Sequence, residues 1–89
     1  MIDLQTYSER LNIPLSEIKS KARFRELVTA RQVYWYYLRK FGYTFEEIAR
    51  IFSMNHATVY HAIKKIEALI SINDIYLQRF LKTIEYECN

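Results

Sequence analysis

The segment SMNHATVYHAIKKIE, residues 53–67, holds the side chains best suited to chemistry or recognition in this sequence. Its polar residues alternate with valine and isoleucine at helical spacing, so a helix here would have an apolar inner face and a polar outer face. His56 and His61 are five residues apart, which does not put two metal ligands on one helical face, and we expect no metal site. The polar face is therefore expected to meet either solvent or another macromolecule. His61 can alternatively serve the fold by bonding a backbone group.

Residues that could act as catalytic nucleophiles lack the setting that such chemistry needs. Ser53, Ser71 and the only cysteine, Cys88, do not follow a glycine-rich turn that would present them. Gly42 is the only glycine, so these residues cannot build the loop that cradles nucleotide phosphates. We expect a protein without enzymatic activity, without ATPase activity and without a cofactor. A single cysteine also forms no internal disulfide, which suits a reducing compartment.

Positive charge is concentrated in the middle of the sequence. Residues 19–65 hold ten Lys or Arg and three Glu, a net charge of +7, whereas the two flanks together carry −4. A basic middle with acidic ends is typical of a protein that faces a polyanion such as nucleic acid. The basic residues of this segment are Lys19, Lys21, Arg23, Arg25, Arg31, Arg39, Lys40, Arg50, Lys64 and Lys65.

Length and composition predict one all-α domain spanning residues 1–89. The chain is 51% hydrophobic and 26% charged, which is the composition of a globular protein. One glycine and one proline supply too few turns for an all-β fold. The sequence does not open with the basic and apolar regions of a signal peptide, and no apolar run reaches the roughly 18–20 residues of a membrane span. We therefore expect a soluble cytoplasmic protein.

Capping residues and apolar spacing predict five to six helices. Asp3 is expected to cap a first helix, Pro14 to begin a short second one, and residues 24–41 to form a central helix that is apolar nearly all round. A final helix is expected to begin at Ser71 or Asn73. The residues expected on inner faces of the first, second, central and final helices are Leu4, Tyr7, Leu11, Leu15, Ile18, Leu27, Ala30, Tyr34, Leu38, Phe41, Leu77, Phe80, Leu81 and Ile84.

Residues 44–70 have the pattern of a helix-turn-helix. Thr44 and Glu47 form a capping-box signature for a short helix ending near Phe52, and a second helix is expected from residue 55 or 56 to about Ile70. A small residue, Ala49, lies where the two helices would cross, and Ser53 takes the turn position that is often glycine. The residues expected to pack the pair are Ile48, Phe52, Met54, Val59, Ala62, Ile63 and Ile66, and those expected to face outward are His56, Ala57, Tyr60, His61 and Lys64.

Three segments carry a resemblance to a known family: KARFRELVTARQ at 21–32, FEEIARIF at 45–52 and NHATVYHAIKKIE at 55–67. They resemble the C-terminal duplex-DNA-binding domain of the bacterial replication initiator DnaA, and the resemblance covers almost the whole chain. It implies a helix-turn-helix of the Trp-repressor-like class, with the arginine of a basic loop, here Arg23, in the minor groove. The other residues matching functional positions of the family are Arg31, Gln32 and Arg39 for the DNA backbone, and His56 and Thr58 in the signature.

The sequence departs from the family pattern where bases would be contacted. The turn is one residue shorter, Asn55 replaces an acid, and Ala57 replaces a threonine of the signature Asp-His-Thr-Thr-Val. Glu46 replaces a common proline at the start of the first short helix, where a carboxylate would repel phosphate. We therefore expect DNA binding with a recognition site different from the usual one of the family.

Together these observations predict a protein that binds double-stranded DNA in a sequence-specific manner. It would be a stand-alone regulator of replication or transcription, a phage or mobile-element protein, or a piece of a longer chain, and Met1 favours a complete chain. The alternative is a protein-interaction module that has kept the fold and lost DNA binding, with exposed aromatics such as Trp35 or Tyr36 as its contact surface. The predicted DNA-binding residues are Lys21, Arg23, Arg25, Arg31, Gln32, Arg39, Asn55, His56, Ala57, Thr58, Tyr60, His61, Lys64 and Lys65.

Overall fold

A computed structural model of the chain describes residues 1–85, apart from the side chain of Glu85, and this part consists of helices joined by short turns. The all-α class predicted from the sequence is confirmed. Cys88 lies outside the described residues. The helices are α1 (Leu4–Leu11), α2 (Leu15–Ile18), α3 (Arg25–Lys40), α4 (Phe45–Phe52), α5 (His56–Ser71) and α6 (Ile75–Glu85).

The caps predicted for α1 and α4 are confirmed by the structure. The Asp3 carboxylate accepts a hydrogen bond from the Thr6 N–H at 2.8 Å. Hydrogen bonding with Thr6 lowers the pKa of Asp3. At α4 the Glu47 N–H donates to Thr44 Oγ1 at 3.0 Å, while the Thr44 N–H donates to Glu47 Oε1 at 2.8 Å. Each cap satisfies N–H groups that the first turn of a helix leaves without partners, so these residues fix where the helices begin.

The helix α3 forms the centre of the molecule, packed against α2, α4, α5 and α6. Three tyrosine hydroxyls connect it to the N-terminal segment. Tyr7 Oη donates to the Ala30 carbonyl at 2.7 Å, Tyr34 Oη donates to the Ile2 carbonyl at 3.0 Å, and the Ile2 N–H donates to Tyr37 Oη at 2.7 Å. Desolvation raises the pKa of Tyr7 and of Tyr34, because burial disfavours the phenolate. These bonds fasten α1 to the core.

The helix-turn-helix is formed by α4 and α5. Ile48 and Ala49 are buried where the two helices meet, and the Met54 N–H donates to the Ala49 carbonyl at 2.8 Å across the turn. Ser53 ends α4 in the left-handed region, with φ 54°, which explains why glycine is common at such a position. All four residues of α5 that were predicted to face inward are buried: Val59, Ala62, Ile63 and Ile66.

Three predictions about individual residues are corrected by the structure. Trp35, expected to be exposed, is only 2% exposed because it packs edge-on against Phe52. Phe41, expected to face inward, is 48% exposed because α3 ends just before it. The last helix begins at Ile75 rather than near Asn73, because Asn73 adopts a left-handed φ of 54°.

None of the helices in residues 1–85 combines the length and the apolar character required to cross a bilayer. The same part of the chain contains no group of three or more His, Cys, Asp or Glu side chains arranged to bind a metal ion.

Candidate nucleic-acid interface

One buried arginine holds the loop between α2 and α3, residues 19–24, in place. Arg31 Nε donates to the Ile18 carbonyl at 2.8 Å, and Arg31 Nη2 donates to the Ala22 carbonyl at 3.3 Å. The residue is only 5% exposed, and desolvation lowers the pKa of its guanidinium. A planar guanidinium can bond two carbonyls in different directions, so Arg31 fixes the path of the loop relative to α3.

A groove runs between this loop and the start of α5, and we call it the loop groove. Its volume is about 410 Å³, and its walls include Lys21 and Arg23 from the loop, Gln32 from α3 and Thr58 from α5. Arg31 and Trp35 form part of its lining. The loop cations and the N-terminal part of α5, which are far apart in the sequence, therefore lie on the same side of the molecule.

A second groove adjoins the first, and we call it the α3–α5 groove. It has a volume of about 390 Å³ and shares Arg23 and Gln32 with the loop groove, while Arg25, Lys65 and Tyr76 extend its lining. The Arg25 guanidinium lies 3.7 Å from the centroid of the Tyr76 ring, a distance at which a cation is attracted to the ring face. Tyr76 thereby orients a predicted DNA contact from α6.

The N-terminus of α5 exposes the residues that were predicted to contact bases. Asn55 is the N-cap, and its Oδ1 accepts a hydrogen bond from the Ala57 N–H at 2.7 Å. His56, Ala57 and Thr58 follow it and are all exposed. Short side chains at an exposed helix N-terminus allow close approach of the backbone to another molecule, which suits insertion into the major groove of DNA. Asn55 has a structural role in addition to the predicted contact.

Further along the outer face, aromatic rings connect α5 with α4 and with the end of α3. The Arg39 guanidinium lies 4.6 Å from the centroid of the Phe45 ring, and Phe45 meets Tyr60 edge-on at 5.1 Å between centroids. Tyr60 in turn contacts the His61 ring at 5.4 Å, and Lys64 Nζ lies 5.5 Å from the Tyr60 centroid. These contacts join Arg39 to the polar face of α5.

Sequence reasoning missed the supporting roles of Phe45 and Tyr76. Both are aromatic residues next to helix starts, and both lie against an arginine that was predicted to contact DNA. Arg25 and Tyr76 are far apart in the sequence, so their contact depends on how α6 folds back onto α3. The only available signal was composition, because cations interleaved with aromatic residues favour such pairs.

The structure separates the predicted DNA-binding residues into an exposed set and two others. Gln32 is half-buried. Arg31 is buried, and it is accessible through the loop groove, which it helps to line. That these residues contact DNA stays a prediction. The exposed ones are Lys21, Arg23, Arg25, Arg39, Asn55, His56, Ala57, Thr58, Tyr60, His61, Lys64 and Lys65.

Glu46 is an exposed acid in the first turn of α4, and we expect Glu46→Gln to strengthen binding of duplex DNA. Removing a solvent-screened carboxylate near phosphates is expected to change the binding free energy by about 0.5–1 kcal/mol, a few-fold in affinity. Fluorescence anisotropy with a labelled duplex measures the effect. Glu9→Gln on α1 changes the net charge equally, so equal strengthening by both variants would place Glu46 away from the DNA.

The chain is similar to proteins of one known family. The family model described as "Bacterial dnaA protein helix-turn-helix" matches residues 4–66. The chain is 43% identical over 76 residues to the chromosomal replication initiator protein DnaA of Campylobacter curvus, covering 82% of this chain and 17% of that protein. It is 36% identical over 72 residues to the DnaA protein of Mycoplasma pneumoniae, covering 80% and 16% respectively.

These relatives are much longer than the present chain, which spans about one sixth of their length. The match ends inside α5, so it covers the loop, α3, α4 and the first part of α5, which supply much of the lining of both grooves, but not α6. Because residues 4–66 make up more than half of the 89 residues, the chain belongs to the bacterial DnaA helix-turn-helix family of DNA-binding domains.

Proposed function

We propose that this chain binds duplex DNA in a sequence-specific manner, with α5 in the major groove and the loop of residues 19–24 in the adjacent minor groove. The observation that carries the proposal is the loop groove, which brings Lys21 and Arg23 to the same side as Thr58 at the start of α5. A recognition helix flanked by a basic loop can contact bases in one groove and the narrow, negative groove beside it.

Within this proposal the residues have different tasks. One set of residues contacts phosphates, which fixes the position of the protein on DNA without reading its sequence. This set is Lys21, Arg25, Gln32, Arg39, Thr58, Lys64 and Lys65. A second set contacts base edges in the major groove and consists of Asn55, His56, Ala57, Tyr60 and His61. Arg23 enters the minor groove. Arg31 acts chiefly through the loop that it holds.

We propose that these 89 residues bind DNA and catalyse no reaction. One glycine cannot supply a glycine-rich phosphate loop, so we propose that DNA binding here occurs without ATP hydrolysis. The relatives are named as chromosomal replication initiators, and we propose that the sites bound by this chain control replication or transcription. Residues 1–89 would act as one domain in the cytoplasm.

Selection from a pool of random duplexes tests the proposal. After several rounds at moderate salt, we expect one enriched motif, because α5 presents several side chains able to bond base edges. The motif should differ from the usual family site because of Asn55, Ala57 and the shortened turn. Recovery of duplexes without any shared motif, at an affinity equal to that for the starting pool, would reject sequence-specific binding.

Arg23→Ala and His56→Ala are expected to weaken binding in different ways. Arg23→Ala should reduce affinity most for A·T-rich duplexes, whose narrow minor groove concentrates negative potential. His56→Ala should cost about 1–3 kcal/mol of discrimination at one base position while leaving non-specific affinity nearly unchanged. Competition assays with single-base variants of the selected duplex measure both effects.

The exposed residue Lys82 on α6 lines neither groove, so Lys82→Ala serves as the matched control for both variants. Circular dichroism must show that each variant remains folded. If Arg23→Ala lost affinity equally for A·T-rich and G·C-rich duplexes, Arg23 would be a phosphate contact and not a minor-groove residue.

A further inference from the structure

Phe24 is exposed in a manner that the fold does not explain. The side chain is 74% exposed, although residue 24 lies between a fixed loop and the central helix. Its backbone is bonded to α3, since the Phe24 carbonyl accepts a hydrogen bond from the Val28 N–H at 2.9 Å. Within the described residues its ring lines neither groove and does not belong to the core or the residues packed against it. Single exposed apolar side chains are common on protein surfaces; Phe24 becomes a candidate for contact with another molecule because of the residues beside it.

The neighbours of Phe24 indicate what that molecule is. Arg23 and Arg25 flank it directly, and both line the α3–α5 groove, while Arg23 also lines the loop groove. Phe24 therefore lies in sequence between two cations whose side chains line the grooves proposed to meet DNA, at the border of that lining. The exposed Ile75 at the start of α6 differs, since it follows the acidic Asp74. The charge around Phe24 favours a polyanion that also offers an apolar surface, and stacked bases offer such a surface.

Contacts anchor the chain on both sides of Phe24. Arg31 bonds the loop through the Ala22 carbonyl, and Arg25 is stacked on Tyr76. A side chain that separates two stacked bases benefits from such anchoring. Unstacking costs free energy, and a residue that is already held in position loses less conformational entropy when it binds. Minor-groove proteins use Phe, Leu, Ile or Met in this way, inserting them between base pairs and kinking the duplex.

We propose that Phe24 is an apolar wedge that enters the minor groove beside Arg23, partly unstacks one base step and kinks the duplex. The inference rests on the proposed function, since it requires Arg23 to lie in the minor groove. Pyrimidine–purine steps such as TA unstack most easily, so the preferred duplex should place one of them at the point of insertion. Phe24 then contributes to specificity through the deformability of DNA and not through hydrogen bonds.

Two measurements on the selected duplex test the wedge. Energy transfer between dyes at the two ends reports the kink, and 2-aminopurine at the proposed step becomes more fluorescent when it unstacks. The intact chain is expected to kink the duplex by roughly 20–90° and to raise the fluorescence. Phe24→Ala should lose both signals, whereas Phe24→Leu, which retains an apolar wedge, should keep them in part. Phe41→Ala, which removes a half-exposed phenylalanine at the other end of α3, should behave like the intact chain.

The outcomes separate the wedge from the proposed function. Binding by the intact chain without a kink or fluorescence increase at any step would overturn the wedge and leave DNA binding intact. A kink that persists in folded Phe24→Ala would overturn it as well. If the intact chain did not bind duplex DNA, the proposed function itself would fail. The fluorescence measurement uses the unmodified chain. It therefore shows whether a base step unstacks on binding even if Phe24→Ala does not fold.

Discussion

The affinity of this chain for duplex DNA is expected to fall about 10³-fold when monovalent salt rises from 50 to 200 mM. Each phosphate neutralised by a protein cation releases condensed counterions, so the slope of log affinity against log salt is about −0.9 per contact. Neutralising about four to seven phosphates gives a slope between roughly −4 and −6. The exposed cations expected to make these contacts are Lys21, Arg25, Arg39, Lys64 and Lys65.

A pair of lysine variants makes this prediction specific to the proposed face. Lys65→Ala, in the α3–α5 groove, should weaken binding for all sequences and reduce the slope by about one. Lys82→Ala removes the same charge from α6 and should leave the slope unchanged. A slope near zero for the intact chain, or equal changes for both variants, would show that these cations do not contact phosphate.

The second large effect is expected at Arg31, because it serves both the fold and the interface. Arg31→Met should lower the free energy of unfolding by about 1.5–3 kcal/mol, since the Ile18 and Ala22 carbonyls lose a charged donor. It should also weaken DNA binding more than Lys65→Ala does, because Lys21 and Arg23 lose the support of the loop. Urea denaturation followed by circular dichroism measures the stability, and anisotropy measures the affinity.

Two further variants distinguish the roles of the guanidinium. Arg31→Lys keeps the charge but cannot bond two carbonyls in the fork geometry of arginine, so most of the stability loss should remain. Gln32→Met alters the adjacent half-buried residue and should affect stability much less. If Arg31→Met lost less than about 1 kcal/mol, comparable to a single neutral hydrogen bond, the loop would not depend on Arg31.

Features fixed by neighbouring residues were predictable from the sequence. The capping box of Thr44 and Glu47 and the cap at Asp3 depend on short-range hydrogen bonds, and the structure confirms both. The inward face of α5 follows from helical periodicity alone, because its apolar residues recur every three or four positions. These local rules also predicted the α4–α5 pair that carries the family resemblance.

Features that depend on packing between distant segments could not be predicted in this way. Trp35 was named as an exposed aromatic residue for the interaction-module alternative, but periodicity cannot tell which side of a helix that is apolar nearly all round faces solvent. Arg31 was assigned to DNA from the resemblance, whereas its bonds to residues 18 and 22 depend on how α2 packs on α3. The stacking of Arg25 on Tyr76 likewise depends on the placement of α6.

One measurement tests the proposed interface most directly: amide chemical shifts of the ¹⁵N-labelled chain during titration with the selected duplex. We expect the largest shifts in the loop at residues 21–25 and in α5 from Asn55 to Lys65, with little change in α1. This pattern would place the DNA against the face that contains both grooves. Shifts concentrated in α1, or small changes spread evenly over the described chain, would contradict the proposed binding mode.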